Sequence, residues 1–474
     1  MDYVDGVQPA RAFFSCRPDA AGLRSRAGSS QAQLLPRQHL CNLLIEQANQ
    51  FWQGEPALHS IAKLRDPQTV AVVAALRPGL FGGPLCSWLK ALTAARLADW
   101  LTEIGMPAVS IGWVDSKIEH AELSVGLLSP EGPQHLALDG LSVSEPRIST
   151  AVSDLLKQAA RALEASVAES DVLRLLESAY APGTELALAW GRSISKMLEP
   201  CGMILVDPLQ PDFLPQTLRL PTFIDRRKIY TVLAEQESRL GAAGYGPTAG
   251  RSGRIGRGAA TENQGGQPFP SIIMQNLILP AAATVMEEAE AFGFARDQVI
   301  FTELGLQPQL FWPRVSATLL DARSRKVLSR SGLRLEELYV GRDVVTERLM
   351  ERWPVRGVEA HIDGLKTKID RSLTELSGLV PPGDKLSTGI ENSRRRMVFQ
   401  VEKLSMGFSG ARRRSQEANA RQVSRLCNSL APWGRLQERE FAGFQFIQRH
   451  SSALSRILYE TIDPWKFEHQ LIVL

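Results

Sequence analysis

Thr69–Leu101 reads TVAVVAALRPGLFGGPLCSWLKALTAARLADWL, and this stretch decides the fold. Val70, Val72 and Val73 belong to an apolar, β-branched run that suits a buried parallel strand. Arg77-Pro78-Gly79-Leu80-Phe81-Gly82-Gly83 ends the run with turn residues. Pro84 stands where a first helical residue belongs, with Gly83 as N-cap. Leu85, Leu89, Leu92 and Leu101 then mark one helical face, with Trp88 beside it. Lys90 lies about 140° round from Leu85, off that core face, as an exposed helix lysine or a partner for an anion. Strand, glycine turn and helix begin a Rossmann-like unit. Such a turn gathers backbone N–H groups and the positive end of a helix dipole, where an anion can bind. It is neither a Walker A loop, since no Gly-Lys-Ser/Thr follows, nor Gly-x-Gly-x-x-Gly. An ordinary tight turn is the other reading.

Working outward, Gly105-Met106-Pro107 breaks the chain and Ala108–Val114 reads as a second strand, giving a βαβ unit with a right-handed crossover. Upstream, residues 1–30 read as an extended arm, and residues 36–64 as helix interrupted at Pro56. Downstream, residues 128–150 carry Pro and Gly without a firm period. Residues 151–178, 183–198 and 226–240 read as helices, and Met203–Val206 as a short buried strand ending at Asp207. Residues 246–270 contain GRSGRIGRG with no preceding strand and no interleaved aromatics. A mobile surface loop is expected there, not a phosphate or RNA loop. Apolar structure resumes at 272–282, and Val299–Thr302 and Phe311–Leu320 read as further strands. The alternation predicts an α/β fold with a parallel-sheet core and helical insertions.

The last third changes character. Ile362, Leu365, Ile369, Leu373 and Leu376, then Leu386, Ile390, Met397, Val401, Leu404 and Phe408, recur at heptad-compatible steps around Pro381-Pro382-Gly383. This predicts a C-terminal antiparallel coiled coil whose Arg394–Arg396 and Arg412–Arg414 clusters are solvated faces. Residues 435–462 read as one more helix and HQLIVL as a strand-like tail. The expected division is 1–68 (arm and helices), 69–345 (core), 346–430 (coiled coil) and 431–474 (helix and tail on the core).

Composition bounds the function. A chain of 474 residues with 44% hydrophobic and 22% charged content buries a sizeable core. A net charge of +3 argues against a dedicated nucleic-acid binder. No apolar run is long enough to span a bilayer, and the N-terminus has no secretory h-region. The five cysteines are scattered and show no zinc spacing, so reduced thiols in a cytoplasmic protein without a metal site are expected.

In order along the chain, RDPQTVAVV with RPGLFGGPLCSWLKALTAARLA, AYAPGTELALAWGRSISKMLEPCGMILVDP, MQNLILPAAA, FWPRVSATLLD, LQERE and FEHQLIVL resemble the bacillithiol synthase family. The resemblance covers nearly the whole chain. It implies a Rossmann-like core with a dimerising coiled coil, hence a homodimer through residues 359–430. It implies a ligase that joins cysteine to the amine of glucosaminyl malate, with ATP or another donor activating the carboxylate. The sequence departs from the family pattern at three loops. Ala75-Leu76-Arg77 replaces a Gly-Gln-Gln, Asp115–His120 replaces an acidic-histidine cluster, and Val285-Met286-Glu287-Glu288 replaces a Gly-Gly. A catalytically degenerate relative, kept for ligand binding or as a coiled-coil scaffold, is therefore the alternative function.

The carboxyl ends of parallel strands border a crevice. There Gly79, Gly82 and Gly83 let backbone donors approach a phosphate or carboxylate, while Arg77 and Lys90 stabilise a developing oxyanion. His120 is the candidate general base on the amine, with Glu119 or Asp115 orienting it or competing for the role. Gln275 and Asn276 face the ligand by resemblance or cap a helix. Arg314, Ser316 and Thr318 alternate along a strand, so one face carries three polar groups that need a ligand or buried protein partners.

Overall fold

The computed structural model describes residues 2–8, 10–29, 35–116, 123–138, 147–166, 169–210, 213, 226–246, 270–351, 357–381, 384–450 and 453–474. They form two compact units, Met1–Leu320 with Leu436–Leu474, and Asp321–Arg435. The first boundary falls at 320/321 rather than 345/346.

The first unit is built on β1 (Val70–Leu76) and β2 (Ala108–Val114), joined through the Leu85–Glu103 helix. A separate hairpin follows, β3 (Leu123–Ser129) with β4 (Gly132–Leu138). Then come β5 (Ile204–Val206), β6 (Ala281–Met286) and β7 (Leu310–Pro313). The main sheet runs β5-β2-β1-β6-β7 and every pair in it is parallel. The chain works outward from β1 through β2 to β5, then returns to β6 on the other side of β1. That reversal makes β1 and β6 the topological switch point, where doubly wound sheets bind ligands. β8 (Ala317–Leu320) leaves this sheet and pairs in parallel with β9 (Gln470–Val473).

Both faces of the sheet are covered, which is why β1 is apolar at every position. Val70, Val72, Ala74 and Leu76 pack with the Leu85–Glu103 helix. Ala71 and Val73 point the other way, into a core shared with the helices Arg37–Gln50, Glu55–Leu64, Ser271–Ile278 and Ala291–Glu303.

Several expectations need correction. The N-terminal arm is not extended: Ala20–Ser29 is helical, and Tyr3 stacks on Phe14 while its hydroxyl donates to the Phe311 carbonyl. Val299–Thr302 lies inside a helix rather than a strand. The Phe311–Leu320 strand is broken, so Arg314 and Ser316 occupy the link between β7 and β8. Residues 435–462 form three short helices, Gln437–Glu440, Phe444–His450 and Leu454–Thr461. The expected loop at 246–270 falls almost wholly outside the described residues.

The second unit holds the helices Ala322–Ser331, Arg342–Glu351, Val358–Gly378 and Lys385–Leu430. Ion pairs Lys366–Glu402 and Arg394–Asp370 show that the last two run antiparallel. Among the described residues, no helix is long and apolar enough to cross a membrane.

Candidate functional site

The glycine turn is closed by the protein itself. Gly82 has φ +82°, which favours glycine. Its amide donates to the Tyr180 hydroxyl at 3.1 Å, and that hydroxyl donates to the Gly79 carbonyl at 2.6 Å. The Gly83 amide donates to the Leu80 carbonyl at 2.9 Å. Returning chain covers the turn: Leu85 N–H donates to Phe441, and Gly443 N–H donates to Gly83. Gly443 is forced by close approach, since a Cβ there would lie 2.2 Å from the Trp88 ring. Gly82 and Gly83 are therefore corrected as anion donors, because internal carbonyl and hydroxyl oxygens already take their N–H groups.

The charged groups do converge, at the carboxyl ends of β1, β6 and β7. Lys90 is not an exposed helix lysine; it is 6% exposed and its Nζ meets Glu290 Oε2 at 2.9 Å. Arg77, at the open side, lies 3.9 Å from the other oxygen of Glu290. Glu290 also accepts from the Glu287 amide at 2.7 Å, in a reciprocal capping box at the turn after β6. Glu287 pairs with Arg439 at 3.2 Å and Arg314 at 3.6 Å. Burial alone would raise its carboxyl pKa, but Arg314, Lys90, Arg439 and a hydrogen bond from Cys86 hold it below the usual range. Burial pushes the Cys86 thiol up to about 12.

Arg314 anchors the far side. Its amide donates to Met286 at the end of β6, and its Nη2 meets the fully buried Glu438 at 2.8 Å. Burial would lower its pKa, yet Glu438, Cys86 and Glu287 raise it, so the guanidinium stays charged. Its Nε is buried without a hydrogen bond. Ser316 donates to the same Glu438 oxygen at 2.8 Å, and Ala317 N–H donates to the other at 2.6 Å. Ser316 and Thr318 also contact the two ring nitrogens of His469 at 2.7 and 2.8 Å. The polar face of Arg314, Ser316 and Thr318 thus has buried protein partners.

Other expected site residues lie elsewhere or do other work. Asn276 donates to Gln307 and Gln309 ahead of β7, at the amino ends of the strands, away from the crevice. Gln275 accepts from Thr284 within the core. Both side chains are engaged by protein partners and brace the sheet. Asp115 follows β2, and its amide donates to Leu76 at the end of β1. His120 and Glu119 lie outside the described residues. A small pocket lined by Gln53, Leu76, Ile194, Glu199 and Leu205, among others, includes none of the charge cluster. The sequence reading missed Glu287, Glu290, Glu438, Arg439 and His469. Glu287 stood only in the Val285–Glu288 loop, Glu438 and Arg439 in LQERE and His469 in FEHQLIVL, while Glu290 lay in no segment singled out.

Residues 1–254 match the model described as bacillithiol biosynthesis BshC, N-terminal Rossmann-like domain. Residues 317–474 match that of the BshC C-terminal coiled-coil domain. Curated relatives named "Putative cysteine ligase BshC" span most of the chain. The one from Solibacter usitatus is 25% identical over 88% of this chain and 87% of its own. That from Salinibacter ruber is 24% identical, covering 94% and 91%. That from Geobacillus thermodenitrificans is 22% identical, covering 99% and 97%.

Proposed function

The chain belongs to the bacillithiol biosynthesis BshC family, and from that premise we propose that it joins cysteine to the amine of glucosaminyl malate, forming bacillithiol. The observation that carries this reading is the charge cluster at the switch point. Four cations, Arg77, Lys90, Arg314 and Arg439, interleave with Glu287 and Glu290 there. Cysteine is a zwitterion, so it needs both signs of charge within a few ångströms. Lys90 and Arg314 suit its carboxylate and the phosphoryl oxygens of an activating donor such as ATP. Glu287 or Glu290 suits an ammonium group.

The reaction has two steps. A cysteine carboxylate oxygen attacks a phosphoryl group of the donor, whose remainder leaves. The sugar amine then attacks the activated acyl carbon, the phosphorylated group departs with its bonding electrons, and the nitrogen loses a proton. The cations stabilise the oxyanion on that carbon. Glu287, held below the usual carboxylate range, is a poor base near neutral pH. We assign the proton to His120, with Glu119 or Asp115 orienting it or competing for the role.

Purified protein mixed with cysteine, glucosaminyl malate and ATP should yield bacillithiol by mass spectrometry. Lys90→Met should lower the yield at least 100-fold, on the order of one lost oxyanion partner. No product with any donor, while a relative works in parallel, overturns the enzyme reading. The second reading is a relative that binds these ligands without turnover. The inward-turned amides of Gly82 and Gly83 favour it, and cysteine or nucleotide binding without product would establish it.

A further inference from the structure

Resting on the switch-point reading, we infer that His469 is a positioning residue, acting through Ser316 and Glu438 to aim Arg314 at the substrate's anionic group. The argument is one of hydrogen-bond direction. Glu438, paired with Arg314 and taking the Ala317 amide, accepts at both oxygens. The Ser316 hydroxyl hydrogen is spent on Glu438, so its oxygen must receive from His469 Nδ1, 2.7 Å away. The neutral ring is therefore the Nδ1–H tautomer. Its Nε2 accepts from Thr318, 2.8 Å away. The chain runs one way: Thr318 to His469 to Ser316 to Glu438, with Arg314 donating into the same carboxylate.

The consequence lies at the other end. Glu438 engages one terminal nitrogen of Arg314, and the Val315 carbonyl takes the other at 2.9 Å. Nε is the nitrogen left without a hydrogen bond, 3.6 Å from Glu287. A buried guanidinium nitrogen whose only neighbour of opposite charge lies beyond hydrogen-bond distance is costly unless something closer uses it. A carboxylate or phosphoryl oxygen would use it. A relay that fixes Glu438 fixes the direction of that donor, although His469 itself sits behind β8 and touches no reacting atom.

The test exploits the two ring nitrogens. Asparagine places its amide N–H near the position of Nδ1, whereas glutamine reaches toward that of Nε2. His469→Asn should therefore keep kcat within about threefold of wild type. His469→Gln and Ser316→Ala should each raise KM for cysteine and lower kcat/KM about 30-fold, and together no further than either alone. Equal effects of Asn and Gln, or additive losses with Ser316→Ala, overturn the proposal. Nitrogen-15 NMR of the seven histidines, with His469 assigned by substitution, supplies a readout that needs no turnover. An Nδ1–H tautomer that is lost in Ser316→Ala supports the relay, and an Nε2–H tautomer overturns it. If the wild type makes no product at all, the reaction reading falls while the NMR result still decides the relay.

Discussion

A buried lysine needs a partner, and Lys90 has Glu290 at 2.9 Å. Glu438 is the more extreme case, because it is 0% exposed and neutralises a guanidinium that is itself buried. Breaking such a pair from one side leaves a charge without compensation. Glu438→Gln should therefore destabilise the protein by about 3 kcal/mol, seen as a lower urea midpoint at unchanged slope. Glu287 adds a pH dependence. Its folded pKa lies below the unfolded value, near 4.5. Stability from this group is thus complete above pH 4.5 and is lost as pH falls through the folded pKa. Between pH 6 and 3, the midpoint of Glu287→Gln should fall less steeply than that of wild type, and parallel curves would contradict this. Asp207, raised by burial, pulls the other way in both proteins and cancels in the comparison. None of these partners was legible beforehand. A helical wheel places Lys90 from its own helix and is blind to a carboxylate 200 positions on.

The glycine turn shows what short-range sequence can and cannot reveal. Its strand, turn and helix follow from local period and from Pro and Gly chemistry. Whether its amides stay open depends on Tyr180, about 100 residues away, and on the returning 441–443 segment. Tyr180→Phe would leave the Gly82 amide and the Gly79 carbonyl unpaired. The expected cost is about 2 kcal/mol, measured by urea denaturation. If the loss freed the Gly82 amide for ligands, phosphate would stabilise the variant more than the wild type. The same limit explains the misread elements. Val299–Thr302 is a short apolar run, and four residues cannot separate a strand from the buried stripe of a helix. The β3–β4 hairpin was hidden because Pro130, Gly132 and Pro133 interrupt the alternation, while the turn itself is Pro130-Glu131, closed by the Ser129–Gly132 pair. The break after β7 arises at Arg314, whose side chain goes to Glu438, and Glu438 then takes the Ala317 amide.

At the scale of the molecule, the heptad pattern of the second unit is only half consumed within one chain. Ile362 and Val401 are buried, and Ile369, Leu373, Ile390 and Phe408 are partly covered. Leu365, Leu376, Leu386, Met397 and Leu404, read as part of the same seam, are exposed instead. Two antiparallel helices can cover one stripe on each, and this sequence carries more apolar positions than one stripe needs. Phe399, Met406 and Leu379 extend the exposed set, with Leu379 82% exposed. Met397 and Leu404 share one face of the long helix, and monomeric proteins rarely leave a large apolar patch in water. We propose a second copy as the cover, because the pattern belongs to the hairpin itself and a two-fold axis would let each copy bury the other's stripe. Light scattering at micromolar concentration should give the mass of a dimer, twice 52.2 kDa. Leu365→Lys with Leu404→Lys should shift it to monomer and leave the Lys366–Glu402 and Arg394–Asp370 ion pairs in place. Helical content by circular dichroism should then persist. A monomeric wild type, or a double variant that remains dimeric, would show that this stripe is not the contact.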